Sequence, residues 1–394
     1  MRIGISTSVI QRGKSGVGQY VLALTRALLT NATHHELTLF VLEEDLPLFE
    51  FARTRTEIVP VAERHRPAVQ NIRWHQLALP RLARQHRLDV LHVPSYRRML
   101  WRHPCALVAT IHDLAPFRLP KKYDLLRMFY GRVIVRQLAH RQDQIIAVSR
   151  DTANDLQRFF RVPPSRVTVI HNGLAHDRFS PEDRGEAAAV LARRHGLHPP
   201  FFLYVARLEH PAKNHARLIA AFNRFKTASP SPWQLVLCGS DWHGAEVIHE
   251  LVRHSPFAAD IHRPGFVADA ELPMWYRAAS VFVYPSLFEG FGLPPLEAMA
   301  CGCPVLASSI GAVGEVCADA AATVNPLDVD DLTRQLTRLA QDSEYREQLR
   351  TAGLAHAQRF DWRTTAAATL ELYARAVGRI RTPVLTSTVA SAAP

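Results

Sequence analysis

Short runs rich in β-branched and aromatic residues alternate along this chain with longer segments of helical periodicity. Residues 2–6, 37–42, 57–61, 89–93, 107–111, 144–149 and 167–170 read as strands, mostly separated by helical patterns. Such alternation predicts a doubly wound parallel sheet. From Gly173 to Pro200 the text turns polar and charged, with Ser180-Pro181-Glu182-Asp183-Arg184-Gly185 and later His198-Pro199-Pro200, which predicts a domain junction. The strand pattern then restarts at 201–205, 234–238, 261–267, 281–284, 304–307 and 322–324, predicting a second α/β unit of nucleotide-binding size. A helical pattern fills 361–377, and the low-complexity tail after residue 381 predicts disorder.

The length of 394 residues and the 47% hydrophobic content suit two domains of ordinary size and exclude a single small one. No charged and apolar leader opens the sequence, and its first residues read as a strand, so a cytoplasmic protein is expected. The longest uncharged stretch near the richest motif, 298–314, carries glycines, a proline and serines and is short for a bilayer span. Five cysteines without Cys-x-x-Cys spacing fit reduced thiols. Cys301 and Cys303 suit a metal by type, but buried structural thiols are the commoner reading, and no metal site is expected.

The richest stretch is Glu289-Gly290-Phe291-Gly292-Leu293-Pro294-Pro295-Leu296-Glu297. It follows the strand pattern ending near Tyr284, so Glu289 is placed just past a strand end. Pro294 and Pro295 suit the first turn of a helix, which would put Glu297 in that turn. Gly290 and Gly292 allow close backbone approach, and the amides of Phe291, Gly292 and Leu293 would offer an anion seat at the helix start. Carboxylates beside a phosphate seat make sense where they accept from sugar hydroxyls, so a nucleotide sugar fits both parts. The same residues also allow a plainer role, with Glu297 complementing the helix dipole and Glu289 solvated.

A second strand-to-helix edge carries Arg207, after the 201–205 run, and Lys213, just before a helix opening near Asn214. Cations preorganised toward a leaving diphosphate stabilise the charge that grows as its bond breaks, and hydrogen bonds to charged groups contribute about 1.5–3 kcal/mol each. Arg207 and Lys213, followed by Glu289 and Glu297 with seven residues between them, resemble the donor-site signature of family 4 glycosyltransferases. The resemblance extends over Gly16 in Ser15-Gly16-Val17-Gly18-Gln19-Tyr20, His112-Asp113, Val148-Ser149, His171-Asn172-Gly173 and Pro264-Gly265-Phe266-Val267, leaving out only the last dozen or so residues.

The resemblance implies a GT-B fold: two Rossmann-like doubly wound domains facing across a cleft. The corresponding boundaries are an acceptor-binding domain over 1–180, a nucleotide-sugar domain over 181–360, a helix crossing back over 361–381, and a tail over 382–394. It further implies hexosyl transfer with retention of configuration and without a bound metal or other cofactor. Glu289 would position the donor sugar and Glu297 the ribose. Gly290, Phe291, Gly292 and Leu293 would hold sugar or phosphate oxygens through their amides, and Phe266 and Val267 would border the base. Gly16, and with it Gly18, would face the diphosphate and reacting sugar. His112 reads as a structural histidine by residue type, whereas the resemblance points it at the transferred sugar. Asp113 would orient that ring or bind acceptor. The Gly-x-Gly at 16–18 lacks a third glycine and a Gly-Lys-Ser ending, which disfavours a dehydrogenase or a P-loop enzyme.

Charge is concentrated. Residues 71–141 hold fourteen Lys or Arg against Asp89, Asp113 and Asp124, an excess equal to the formal net charge of +11 for the whole chain. A basic face carrying Arg97, Arg98, Trp101, Arg102, Lys121, Lys122, Arg127 and Arg132 would suit an anionic membrane surface or a diphosphate-linked saccharide acceptor. A solvated face without a partner is the plain alternative. No nucleic-acid-binding signature accompanies the charge, and no nucleic-acid partner is expected. The function these readings favour is transfer of a hexose, preferably mannose from GDP-mannose, to a lipid-linked saccharide in lipopolysaccharide or exopolysaccharide synthesis, peripherally at the inner face of the cell membrane. A sugar-nucleotide epimerase on the same scaffold and a non-catalytic sugar-nucleotide-binding protein are the alternatives.

Overall fold

The computed structural model describes residues 1–31, 34–118 and 130–381. Lys121, Lys122, Asp124 and Arg127 of the basic segment and the 382–394 tail lie outside the described residues. The first sheet runs β3-β2-β1-β4-β5-β6-β7 and the second β10-β9-β8-β11-β12-β13, every pairing parallel. In chain order the strands are β1 Arg2–Ser6, β2 Glu36–Leu42, β3 Glu57–Val61, β4 Val90–Val93, β5 Ala106–Ile111, β6 Gln144–Ala147 and β7 Val167–Val169. The second set is β8 Phe201–Val205, β9 Gln234–Cys238, β10 Ile261–Gly265, β11 Val281–Tyr284, β12 Val305–Ser308 and β13 Ala322–Val324.

The central strands are buried throughout, as parallel strands covered on both faces must be. In both sheets the strand order reverses direction beside the first strand, at β1/β4 and β8/β11. The crevice at such a switch point is where open α/β sheets receive ligands. Every strand read from the sequence coincides with an observed one, with ends displaced by at most a residue or two. Ser149 leaves β6 because its hydroxyl accepts from the Thr152 amide (3.1 Å) and caps the helix Arg150–Asp155. β10 stops at Gly265, whose φ of +82° ends the extended run.

The C-terminal helix Trp362–Arg381 packs back on the first unit, against the helix Gly16–Asn31 and strands β4 and β5. Leu372, Tyr373 and Ala376 join the first unit's core, and the Tyr373 hydroxyl shares a 2.7 Å hydrogen bond with buried His92 Nδ1. A Cβ on Gly173 would lie 2.3 Å from the Trp362 amide nitrogen, so a side chain there would block the crossing. Among the described residues no helix is long and apolar enough to cross a membrane.

Candidate active site

Two strand ends of the second sheet build one polar cluster. Beyond β8, the Asn214 side chain donates to the carbonyls of Pro285 (2.9 Å) and Pro326 (2.7 Å), pinning the loop that carries Lys213 beside the end of β11. Asn214 adopts φ +62°, a left-handed conformation that Asn tolerates better than most residues. Tyr204 on β8 donates to the Lys213 carbonyl (2.6 Å). These contacts bring the Lys213 ammonium to 2.5 Å from Glu289 Oε1.

Ser286 (2.7 Å) and Tyr284 (2.8 Å) donate to the same oxygen. Burial would raise the Glu289 carboxyl, but the Lys213 charge and the three hydrogen bonds outweigh it and hold the group below its ordinary value. Glu289 is therefore an oriented carboxylate whose protein bonds converge on one oxygen. Lys213 and Glu289 are each 15% exposed, so the pair keeps an opening to solvent.

Arg207 is half exposed. It stacks 4.6 Å from the exposed Trp242 ring and lies 3.4 Å from Glu209 Oε2. Among the described residues it does not touch the Lys213–Glu289 pair.

The glycine-rich turn opens the helix Leu293–Ala300. Gly292 caps it with φ +115°, a conformation L-residues avoid, and Pro294 and Pro295 stand at its start. Glu297 is the fifth helical residue, one position deeper than the proline pattern predicts and just past the first turn, because the helix begins at Leu293. Its Oε2 accepts from the Tyr276 hydroxyl (2.9 Å), and Arg178 stands 4.0 Å from Oε1. Burial raises the Glu297 carboxyl to about 7 against the opposing effects of Tyr276 and Arg178. Phe291 turns its ring into the core against His171 and Phe360. Phe266 is 72% exposed, whereas Val267 is buried.

The first unit meets this turn directly. A Cβ on Gly290 would stand 1.9 Å from the His112 carbonyl oxygen, and the Gly290 carbonyl accepts from Ser149 Oγ (2.8 Å). The His112 ring packs edge-on against Tyr20 (4.7 Å), its Nε2 is buried without a hydrogen-bond partner among the described residues, and burial lowers its pKa to about 4. It is a neutral imidazole beside the cleft, with one nitrogen unfilled. Asp113 accepts from the Ala115 amide (2.9 Å), so it shapes its own turn and makes no hydrogen bond to the His112 ring. Gly16 starts its helix exposed, and a Cβ placed on it would have no atom within 4 Å. Gly18 is buried, with the Ile10 carbonyl oxygen 2.6 Å from where its Cβ would be, so it packs its helix against the preceding loop.

Further contacts join the units. Glu315 accepts from the amides of Arg150 (2.8 Å) and Asp151 (3.1 Å), and His171 donates to the same carboxylate (3.1 Å). Gln19 donates to Asp269 (3.3 Å). Arg178, Tyr276, Tyr284, Ser286 and Glu315 join the site without having been selected by the sequence pattern. Tyr284 and Ser286 flank the motif and were within reach of it; the others carry no local signal.

Among the described residues no three His, Cys, Asp or Glu side chains gather as a metal site. Cys301 and Cys303 are buried thiols, each raised to about 12 chiefly by burial. The basic face is also less uniform than its count suggests. Arg118 is paired with Asp151 and Asp155, and Arg97 and Arg98 are half-buried in cavity walls. Trp101 remains exposed beneath Arg141, and Arg132, Val133 and Ile134 are exposed.

Two facing parallel-sheet units, joined by a crossing C-terminal helix and lining one cleft with this cluster, define the GT-B architecture. Solved structures agree: HepE of Anabaena in complex with UDP and glucose aligns over 95% of this chain and 99% of its own with a TM-score of 0.74 at 18% identity. Sucrose-phosphate synthase from Thermosynechococcus elongatus aligns over 95% and 98% with a TM-score of 0.76 at 21% identity. The family model for Glycosyltransferase Family 4 matches residues 14–178, and that for Glycosyl transferases group 1 matches 192–356. O-antigen chain mannosyltransferase B of Escherichia coli is 28% identical over 95% of this chain and 99% of its own. MMP alpha-(1->4)-mannosyltransferase of Mycolicibacterium hassiacum is 30% identical over 70% of this chain and 66% of its own. The chain belongs to the family 4 glycosyltransferases and is a glycosyltransferase.

Proposed function

We propose that the chain transfers mannose from GDP-mannose, with retention, to a lipid-linked saccharide during cell-surface polysaccharide synthesis. The observation that carries the catalytic part is the convergence of Lys213, Tyr284 and Ser286 on Glu289 Oε1, which leaves an ordered carboxylate for sugar hydroxyls. The mannose assignment draws on relatives whose names specify mannosyl transfer.

In this reading the amides of Gly290 to Leu293 hold sugar and phosphate oxygens, Glu297 receives the ribose hydroxyls, and Phe266 with Val267 borders the base. The bond between the anomeric carbon and the β-phosphate oxygen breaks, and its electron pair leaves with the diphosphate. Lys213 and Arg207 offset that charge, Arg207 swinging from Trp242, so no metal is required. The acceptor hydroxyl attacks the same face, and its proton passes to the departing phosphate oxygen. His112 Nε2 and the Gly16 backbone contact the reacting sugar, while Gly18 supports the Gly16 loop. Asp113 borders the acceptor hydroxyl. Trp101, Val133, Ile134 and the neighbouring arginines rest the enzyme peripherally on an anionic cytoplasmic membrane surface.

The test is donor hydrolysis and heat-shift binding across GDP-, UDP- and ADP-sugars, with and without a chelator. Selective, chelator-resistant response to GDP-mannose, lost in Glu289→Ala, is the expected outcome. A response to a different donor alone would overturn the mannose assignment, and an epimer as the product would overturn transfer.

A further inference from the structure

A cavity of about 490 Å³ in the first unit is lined by Arg12, Lys14, Arg66, Arg97 and Arg98, and no carboxylate lines it among the described residues. Val17, next to Gly16, also lines it, so the chamber adjoins the loop proposed to face the reacting sugar. The chain enters through Gln11, Arg12 and Gly13, three successive residues with φ between +50° and +77°. Two of them are not glycine, and such backbone strain is concentrated at ligand-binding segments.

The cations are not equivalent. Arg12 pairs with Glu44, and Arg66 with Glu63 and the fully buried Asp45. Arg98 donates to the Asn71 side-chain oxygen (2.6 Å) and to the Arg97 carbonyl (3.4 Å), both neutral acceptors. No carboxylate among the described residues lies within ion-pair distance of it. Burial, with Arg97 beside it, lowers the Arg98 pKa. A half-buried guanidinium without a counter-ion is costly to hold unless a ligand supplies the charge.

A second cavity of about 280 Å³ shares Arg97, Arg98 and Ala68 with the first, and is otherwise walled by apolar and aromatic side chains including Ile72, Phe117 and Val135. The two arginines thus stand where a cationic chamber meets an apolar slot. A free phosphate would use only the chamber, and a neutral lipid only the slot. A prenyl diphosphate has its anion and its hydrocarbon joined in that order.

We propose that Arg98 holds the diphosphate of a prenyl-linked acceptor, with the first isoprene units in the Ile72–Phe117 slot and the saccharide leading past Val17 toward Gly16. This deepens the transferase reading and rests on it. Because the chamber adjoins the transfer loop, the saccharide between diphosphate and reaction centre is short, which places the enzyme at an early glycosylation of the lipid carrier.

The experiment measures binding of farnesyl diphosphate, inorganic diphosphate and farnesol to the full chain saturated with GDP, so that the donor seat is filled. Farnesyl diphosphate is expected to bind at least tenfold tighter than either of the others. That margin should fall at least tenfold in Arg98→Gln and be partly restored in Arg98→Lys. Should Arg98→Gln not fold, the exposed Lys14→Gln is expected to weaken farnesyl diphosphate severalfold. Inorganic diphosphate binding as tightly as farnesyl diphosphate, or unchanged farnesyl diphosphate binding in folded Arg98→Gln, would overturn the assignment. Absence of GDP binding would instead count against the GDP-mannose donor on which this reading rests, since the prenyl diphosphate arm can be run without nucleotide.

Discussion

Gly290→Ala puts the meeting of the two units to a quantitative test. The added methyl would stand 1.9 Å from the His112 carbonyl oxygen and 3.1 Å from Asp113 Cβ, where ordinary contact needs 3.4 Å or more. The obstacle is backbone, so no rotamer change relieves it, and the peptide must move about 1.5 Å. The Gly290 carbonyl is meanwhile gripped by Ser149 Oγ. Relief therefore comes by parting the units or by rotating the turn that carries Glu289. Misplacement of a reacting group by about 1 Å costs on the order of a hundredfold in rate. The expected loss in kcat/KM is at least about a hundredfold, or ~2.7 kcal/mol of transition-state stabilisation. Each unit keeps its own core, so the protein should still fold, with a stability cost of the size that overpacking one contact brings, about 1–3 kcal/mol. Steady-state kinetics beside a melting curve reads both quantities. Catalysis within about threefold of wild type would refute the contact as a feature of the working enzyme.

Glu289→Ala and Lys213→Ala should each lower turnover at least about a hundredfold, and the double variant should fall well short of the product of the two losses because the residues act as a pair; multiplicative losses in single-turnover assays would separate their roles. Glu297, raised to about 7 from 4.5, binds its proton more tightly in the native state than in the unfolded chain. Its contribution to stability falls as pH rises from about 4.5 to about 7, and denaturant titrations at several pH values should show that slope flattened in Glu297→Gln. The ionised form accepts ribose hydroxyls better, so affinity for GDP-mannose should rise between about pH 6 and 8 in wild type and not in Glu297→Gln, as read by calorimetry. Glu315→Gln replaces the charged acceptor that spans the two units and should cost about 1 kcal/mol, roughly the value of a helix cap, in a thermal melt.

What the residue pattern reveals, and what it hides, divides by distance along the chain. Strands such as β5 and β11 are legible because a parallel strand covered on both faces must be apolar along its whole length. The Glu289-to-Glu297 turn is legible because glycine φ angles and prolines dictate its course locally. Its depth is not: the helix starts at Leu293, and only then is Glu297 placed a turn inside and against Tyr276. Arg178 reaches Glu297 from the polar junction, more than a hundred residues earlier, with nothing in its neighbourhood to mark it. The contact of Gly290 with His112 likewise exists only once two separate sheets face each other. A charge count over 71–141 is blind to partners, so it treats Arg118, held by two aspartates, like Arg98, whose acceptors among the described residues are neutral.

The same distinction bears on how the donor site works. In the structure Lys213 is bonded to Glu289, and Arg207 is stacked on Trp242 beside Glu209. Neither cation stands alone, and the two are held differently. Lys213 sits in a loop fixed by Asn214 and Tyr204, so its ammonium is positioned before any ligand arrives. Moving it would strip Glu289 of its strongest bond and leave a largely buried charge, so in the proposed reaction the diphosphate would come to Lys213 and share it with Glu289. Arg207 is half exposed and tied, among the described residues, by an aromatic contact and a long ion pair, which together cost little to exchange for phosphate. On the proposed function, the site pairs one preorganised cation, which would register the donor sugar through Glu289, with one recruitable cation that would follow the charge as it moves onto the leaving group. Truncating Lys213 should therefore damage the positioning of the sugar as well as departure of the diphosphate, whereas truncating Arg207 should act on departure alone.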